Sequence, residues 1–99
     1  MGDLKFEWDP SKAADNIRNH GVTFDEAKTV FDDPNMLWEF DLLHLEIEER
    51  EIIIGFSEKA RLLMVVSTER HETIRIISAR RATQAEARRY AEQIDGPLR

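Results

Sequence analysis

The chain predicts an α+β fold, and three observations carry the prediction. Helix-like signals gather at the two ends, while residues 36–80 hold four apolar segments broken by short polar turns. Two Thr-x-x-Glu boxes, Thr23 to Glu26 and Thr83 to Glu86, mark places where helices begin. The length of 99 residues suits one hydrophobic core, so residues 1–99 are read as a single domain.

The elements follow in order. Leu4-Lys5-Phe6-Glu7-Trp8 alternates apolar and polar residues and reads as a short first strand. Asp9-Pro10 supplies an N-cap and a proline at the first helical position, and the helix should run from Pro10 to His20 and stop at Gly21. A second helix, opened by Thr23, should turn Phe24, Ala27, Val30 and Phe31 inward and end near Asp32-Asp33-Pro34. Strands are expected at 36–41, 50–56, 61–68 and 72–80, with connections short enough to make them an antiparallel four-stranded meander. Leu62 to Val66 is apolar without alternation, as a central strand covered on both faces would be. Met36, Trp38 and Phe40 share one strand face. The Thr83 box opens a last helix to about Ile94, closed by Asp95-Gly96-Pro97.

Composition narrows the function. Hydrophobic content of 41% and charged content of 34% fit an ordinary globular domain. No apolar run approaches the roughly 20 residues of a membrane span. The N-terminus lacks an apolar signal core, and Phe6 stands where a myristoylation motif needs Ser or Thr. A cytoplasmic location without membrane contact is therefore expected. With no cysteine there is no disulfide framework, thiol nucleophile or zinc–thiolate site. The net charge of −6 argues against indiscriminate nucleic-acid binding. It is unevenly spread, because residues 59–99 carry nine basic against five acidic side chains and residues 1–58 five against fifteen. Any nucleic-acid contact should lie in the C-terminal part.

That part contains Ile74-Arg75-Ile76-Ile77-Ser78-Ala79-Arg80-Arg81, a strand ending in two arginines and running into a capped helix. A guanidinium presents a fixed fork of donors suited to phosphate or carboxylate. Strict alternation puts Arg75, Ile77, Ala79 and Arg81 on one face and Ile74, Ile76 and Ser78 on the other, against the helices. Arg80 then follows Ile76 inward and must leave the strand or meet a carboxylate, with Glu86 as the candidate. Tyr90, four residues beyond Glu86, lines the same helix face. Two readings remain open: a structural Arg80–Glu86 salt bridge among ordinary exposed charges, or an anion-binding site.

The other features are weaker. His20, His44 and His71 lie in different elements and form no helical metal pair. The carboxylates Asp41, Glu46, Glu48, Glu49 and Glu51 match no calcium-loop spacing and read as a solvated strand edge. No phosphate-cradling glycine loop or nucleophile elbow is present. Neither a metal nor a cofactor is called for.

Several segments are similar to the BrnT family of bacterial toxins: Phe6-Glu7-Trp8-Asp9-Pro10, Lys12, Asn16, His20-Gly21-Val22, Phe24, Ala27 and Val30-Phe31-Asp32-Asp33-Pro34. Glu49-Arg50, Gly55, Arg61-Leu62-Leu63, Thr68-Glu69-Arg70 and the run from Arg75 to Thr83 extend the likeness from about residue 5 to 91. Asn19 departs from it, since family members often have lysine there. The resemblance implies a RelE-like fold and an endoribonuclease that inhibits translation. It also implies a cognate BrnA-like ribbon-helix-helix antitoxin, with operator DNA bound only through that antitoxin and the toxin able to dimerise within the complex. On this reading Arg80 and Arg75 contact RNA phosphate and Arg81, Arg70 and Arg61 support them. Glu86 or His20 moves the proton, and Tyr90 orients Glu86 or stacks on a base. The alternative is a non-catalytic module, an inactive homologue that binds antitoxin as corepressor.

Overall fold

Asp9 caps the first helix in the computed structural model, which describes residues 4–42 and 49–95. Its carboxylate accepts from the N–H groups of Ser11 (2.8 Å) and Lys12 (3.4 Å), and Pro10 occupies the position where an N–H would go unused. This helix, α1, spans Pro10–His20 and ends at Gly21, whose φ of 68° is left-handed and free of a Cβ clash. The second helix, α2, covers Phe24–Lys28 and tightens into a 3₁₀ turn over Thr29–Asp32. Val30 stays buried through the change, while Phe31 is partly buried.

The strands are β1 (Lys5–Glu7), β2 (Leu37–Phe40), β3 (Glu51–Phe56), β4 (Leu62–Arg70) and β5 (Thr73–Arg81), followed by helix α3 (Gln84–Asp95). They form one sheet in the order β1-β5-β4-β3-β2. The four later strands are the expected antiparallel meander, and β1 joins β5 in parallel, pairing Phe6 with Ile74. Helices α1 and α2 cover one face, where Val22, Phe24, Ala27 and Val30 pack on Ile53, Leu63, Val65, Ile76 and Ala79. Helix α3 covers the other, with Tyr90 against Ile54 and Met64. Both sides of β4 are thus buried, which explains its unbroken apolar run. Gly55 permits the 3₁₀ turn to lie close, since a Cβ there would sit 3.0 Å from Val30 Cγ1.

One feature of β5 overturns the alternation read from sequence. Ser67 pairs with Ile76 and Val66 with Ser78, so Ile77 is an extra, bulged residue. Beyond it the faces exchange. Ala79 and Arg81, opposite Val65 and Leu63, join Ile76 on the α1/α2 face, whereas Arg80, opposite Met64, lies on the α3 face. Arg75, opposite Thr68, is on the α3 face too, so it is Arg75 and Arg80 that share a side.

His44, Glu46 and Glu48 lie outside the described residues, as do Gly96 and Pro97, expected to close α3. Among the described residues no helix is long and apolar enough to cross a membrane.

Candidate functional site

The site is built where β5 hands over to α3. Thr83 caps α3: its hydroxyl accepts from the Glu86 N–H (3.1 Å), and its own N–H donates to Glu86 Oε1 (2.9 Å), completing the capping box. The same carboxylate receives both arms of Arg80, Nη1 on Oε1 and Nη2 on Oε2, each at 2.9 Å. Arg80 Nη1 also donates to the Arg81 carbonyl at 3.0 Å. These bonds use three of the five guanidinium donors and leave the Nε–H and one Nη2–H for another acceptor. The Arg80 bonds hold the Glu86 carboxyl below its usual range, against the opposing effect of burial and with help from Thr83. Arg81 next to it is exposed, and among the described residues its guanidinium has no ion-pair partner.

A second ion pair lies at the same end of the sheet. Glu26, 2% exposed, accepts from Arg61 Nε (2.9 Å) and Nη2 and from the Ser57 hydroxyl (2.7 Å). The Arg61 bonds outweigh burial and lower the Glu26 carboxyl. Only half of the predicted Thr23–Glu26 box therefore forms: Thr23 caps the Glu26 N–H at 2.9 Å, but the carboxylate turns to Arg61. Arg61 Nη2 further reaches the Gly21 carbonyl at 3.3 Å, which brings the end of α1, and exposed His20 beside it, to this end of the sheet.

The predicted residues therefore divide. Arg61, Arg80, Arg81, Glu86 and the neighbourhood of His20 share one end. Arg75 stands five residues before Arg80, on the order of 15 Å along the strand, and its Nη1 meets Glu7 at 3.3 Å. Arg70 pairs with Thr73 at the far end of the same ladder. Neither joins the Arg80 cluster. Tyr90 is 6% exposed, packs edge-on against Phe56 (5.5 Å) and donates to Asp33 Oδ2 at 2.7 Å. Its partner is Asp33, not Glu86. Burial and that bond push the phenol up to about 12. Asp33 is itself lowered, because N–H groups of Phe56 and Asn35 and the Tyr90 hydroxyl outweigh its burial.

Two contributors escaped the residue-type reading. Glu26 was legible only as a cap. Asn16, 5% exposed, holds the backbone just before the arginines: its Nδ2 donates to the carbonyls of Val22 (2.9 Å) and Ala79 (2.8 Å), and its Oδ1 accepts from the Ala79 N–H (3.1 Å). A polar residue on a face otherwise turned to the core was the available signal. Among the described residues no three His, Cys, Asp or Glu side chains group as metal ligands.

Fold and site together define a small α+β protein with a charge-paired, arginine-rich corner at a strand-to-helix junction. The chain belongs to the BrnT family: the sequence model described as ribonuclease toxin, BrnT, of type II toxin–antitoxin system matches residues 8–86. Its structure is similar to the crystal structure of the Brucella abortus ribonuclease toxin BrnT, with a TM-score of 0.65 and 21% identity, over 83% of this chain and 100% of that one. No match is found among curated proteins.

Proposed function

We propose that this chain is an active endoribonuclease that cleaves RNA, stops translation and is neutralised by its antitoxin. Family membership supports the class of activity. The observation that carries the assignment to this corner is the pairing pattern among the described residues: Arg80 is fixed by Glu86 with two donors unspent, and Arg81 beside it meets no carboxylate. Arg80–Glu86 and Arg61–Glu26 are each neutral as pairs, so attraction for a polyanion rests on Arg81, helped by exposed Lys59 in the β3–β4 turn.

In the proposed reaction the RNA 2′-oxygen attacks the adjacent phosphorus and the bond to the 5′-oxygen breaks. The proton of the 2′-hydroxyl goes to a base, and the departing oxygen takes one up. Arg80 and Arg81 meet the charge that grows on the phosphoryl oxygens. Glu86 serves best as the positioning residue for Arg80, because both its oxygens are occupied and its lowered pKa makes it a weak base. His20 is then the proton-moving candidate.

The test is an RNA-cleavage and growth assay of Arg81→Ala, with the purified chain and with the chain induced alone in a bacterial host. Loss of one such donor should lower kcat about 100-fold and relieve growth arrest. Full cleavage by the variant removes Arg81 from the site. Substitution separates the bases: loss of cleavage in His20→Gln points to the histidine, and full cleavage by that variant points to Glu86. The neutralised arginines also favour the second reading, a non-catalytic corepressor; normal growth on induction together with antitoxin binding would establish it.

A further inference from the structure

Strand β2 closes one side of the sheet, and among the described residues nothing pairs with its outer edge. Two aromatic side chains stand on it uncovered. Trp38 and Phe40 are 46% and 47% exposed and lie edge to face at 4.7 Å, with Leu42 beyond them 75% exposed. They share the α1/α2 face, because Trp38 is opposite Ile53, but those helices do not reach far enough to cover them. Natural edges are usually blunted by lysine, proline or a bulge. This edge has none of these between Leu37 and Phe40. The described residues around it are mainly acidic: Glu39, Asp41, Glu49 and Glu51 stand against a single arginine, Arg50. Glu51 lies directly across from Phe40, and Glu39 on the opposite face already binds a cation, Arg89, at 3.0 Å.

We infer that β2 is the docking edge for the antitoxin, which lays along it a sixth strand whose apolar and basic side chains share the face of Trp38, Phe40 and Glu51. The inference rests on the toxin–antitoxin reading above and names where that partner binds. Backbone groups of the edge would supply the strand's hydrogen bonds, and the Trp38–Phe40 pair would receive apolar or guanidinium side chains. Glu51 would select a basic residue. The same acidity disfavours β2 pairing with β2 of a second copy, since like charges would meet across the join. β2 lies three strands from β5, roughly 14 Å at about 4.8 Å per strand, so variants here leave Arg80 and Arg81 untouched.

The test uses the full-length chain and the antitoxin encoded with it. Binding is measured by calorimetry and by hydrogen exchange of the β2 amides, for the wild type, Trp38→Ala/Phe40→Ala and Glu51→Lys. Each variant should bind about ten-fold or more weakly, as loss of a central anchor does. Glu51→Lys should also flatten the salt dependence, and antitoxin should protect the outward amides of Trp38 and Phe40 in the wild type. RNA cleavage by the free double variant should stay at the wild-type rate and resist inhibition. Unchanged affinities, unprotected β2 amides or an antitoxin that does not bind would each overturn the proposal. Absence of RNA cleavage by the wild-type chain would instead strike the ribonuclease reading and leave the docking measurements to stand separately.

Discussion

Replacing Asn16 should loosen the strand that carries the site more than any other single polar change in this core. β1 is only three residues long and pairs with β5 as far as Arg75. Beyond that point, among the described residues, the outer edge of β5 has no strand beside it. The Asn16 amide stands in for one, donating to the Ala79 carbonyl at 2.8 Å and accepting from the Ala79 N–H at 3.1 Å. Its second donor ties down Val22 at 2.9 Å. Asn16→Ala would leave one buried N–H and two carbonyls without these partners. Each lost bond costs about 1 kcal/mol, and an orphaned buried N–H costs up to about 3. The sum is about 3–5 kcal/mol, a large part of the roughly 5–15 kcal/mol that holds a domain. Tm should fall by roughly 15–25 °C for a chain of this size. Asn16→Asp sharpens the argument. An ionised carboxylate there would face the Ala79 and Val22 carbonyls, so the folded state favours the protonated acid and raises its pKa. Stability of this variant relative to the wild type should therefore improve as pH falls from neutral through that raised pKa. Urea denaturation at several pH values reads both effects. A loss under about 1 kcal/mol for Asn16→Ala, or no recovery of Asn16→Asp on acidification, would show that the amide does not hold the strand.

Two further outcomes follow from local geometry. Glu26 and Glu86 are both lowered by their arginines from an unfolded value of 4.5, so their contribution is complete above that pH. It should be lost as pH falls through the lower folded values, giving a urea midpoint that declines below about 4.5 and declines less in Glu26→Gln. In the β4–β5 turn, His71 and Glu72 hold φ of 50° and 69°, the left-handed pair that Asn-Gly adopts most easily. His71→Asn/Glu72→Gly should stabilise the chain by about 1 kcal/mol, read as a higher urea midpoint; an unchanged or lower midpoint would show that the turn bears no strain.

Sequence alone determined the features that depend on neighbours a few residues apart. The limits of α1 follow from the Asp9 cap and Gly21, the order of strands from their periodicity, and the meeting of Arg80 with Glu86 from a separation of six residues across a capping box. Tertiary structure decided what depends on register between distant segments. The extra residue at Ile77 leaves no mark in the apolar pattern, because any of Ile74 to Ile77 could have been the unpaired one. Yet it exchanges the faces on which Ala79, Arg80 and Arg81 stand. Arg75 and Arg70 read as members of the basic cluster because charge along a chain carries no distance, and the length of β4 and β5 sets them at the far end. Asn16 and Ala79 are separated by 63 residues, as Glu26 and Arg61 are by 35. Such bonds exist only once packing has brought the distant segments together, and local sequence cannot specify that condition.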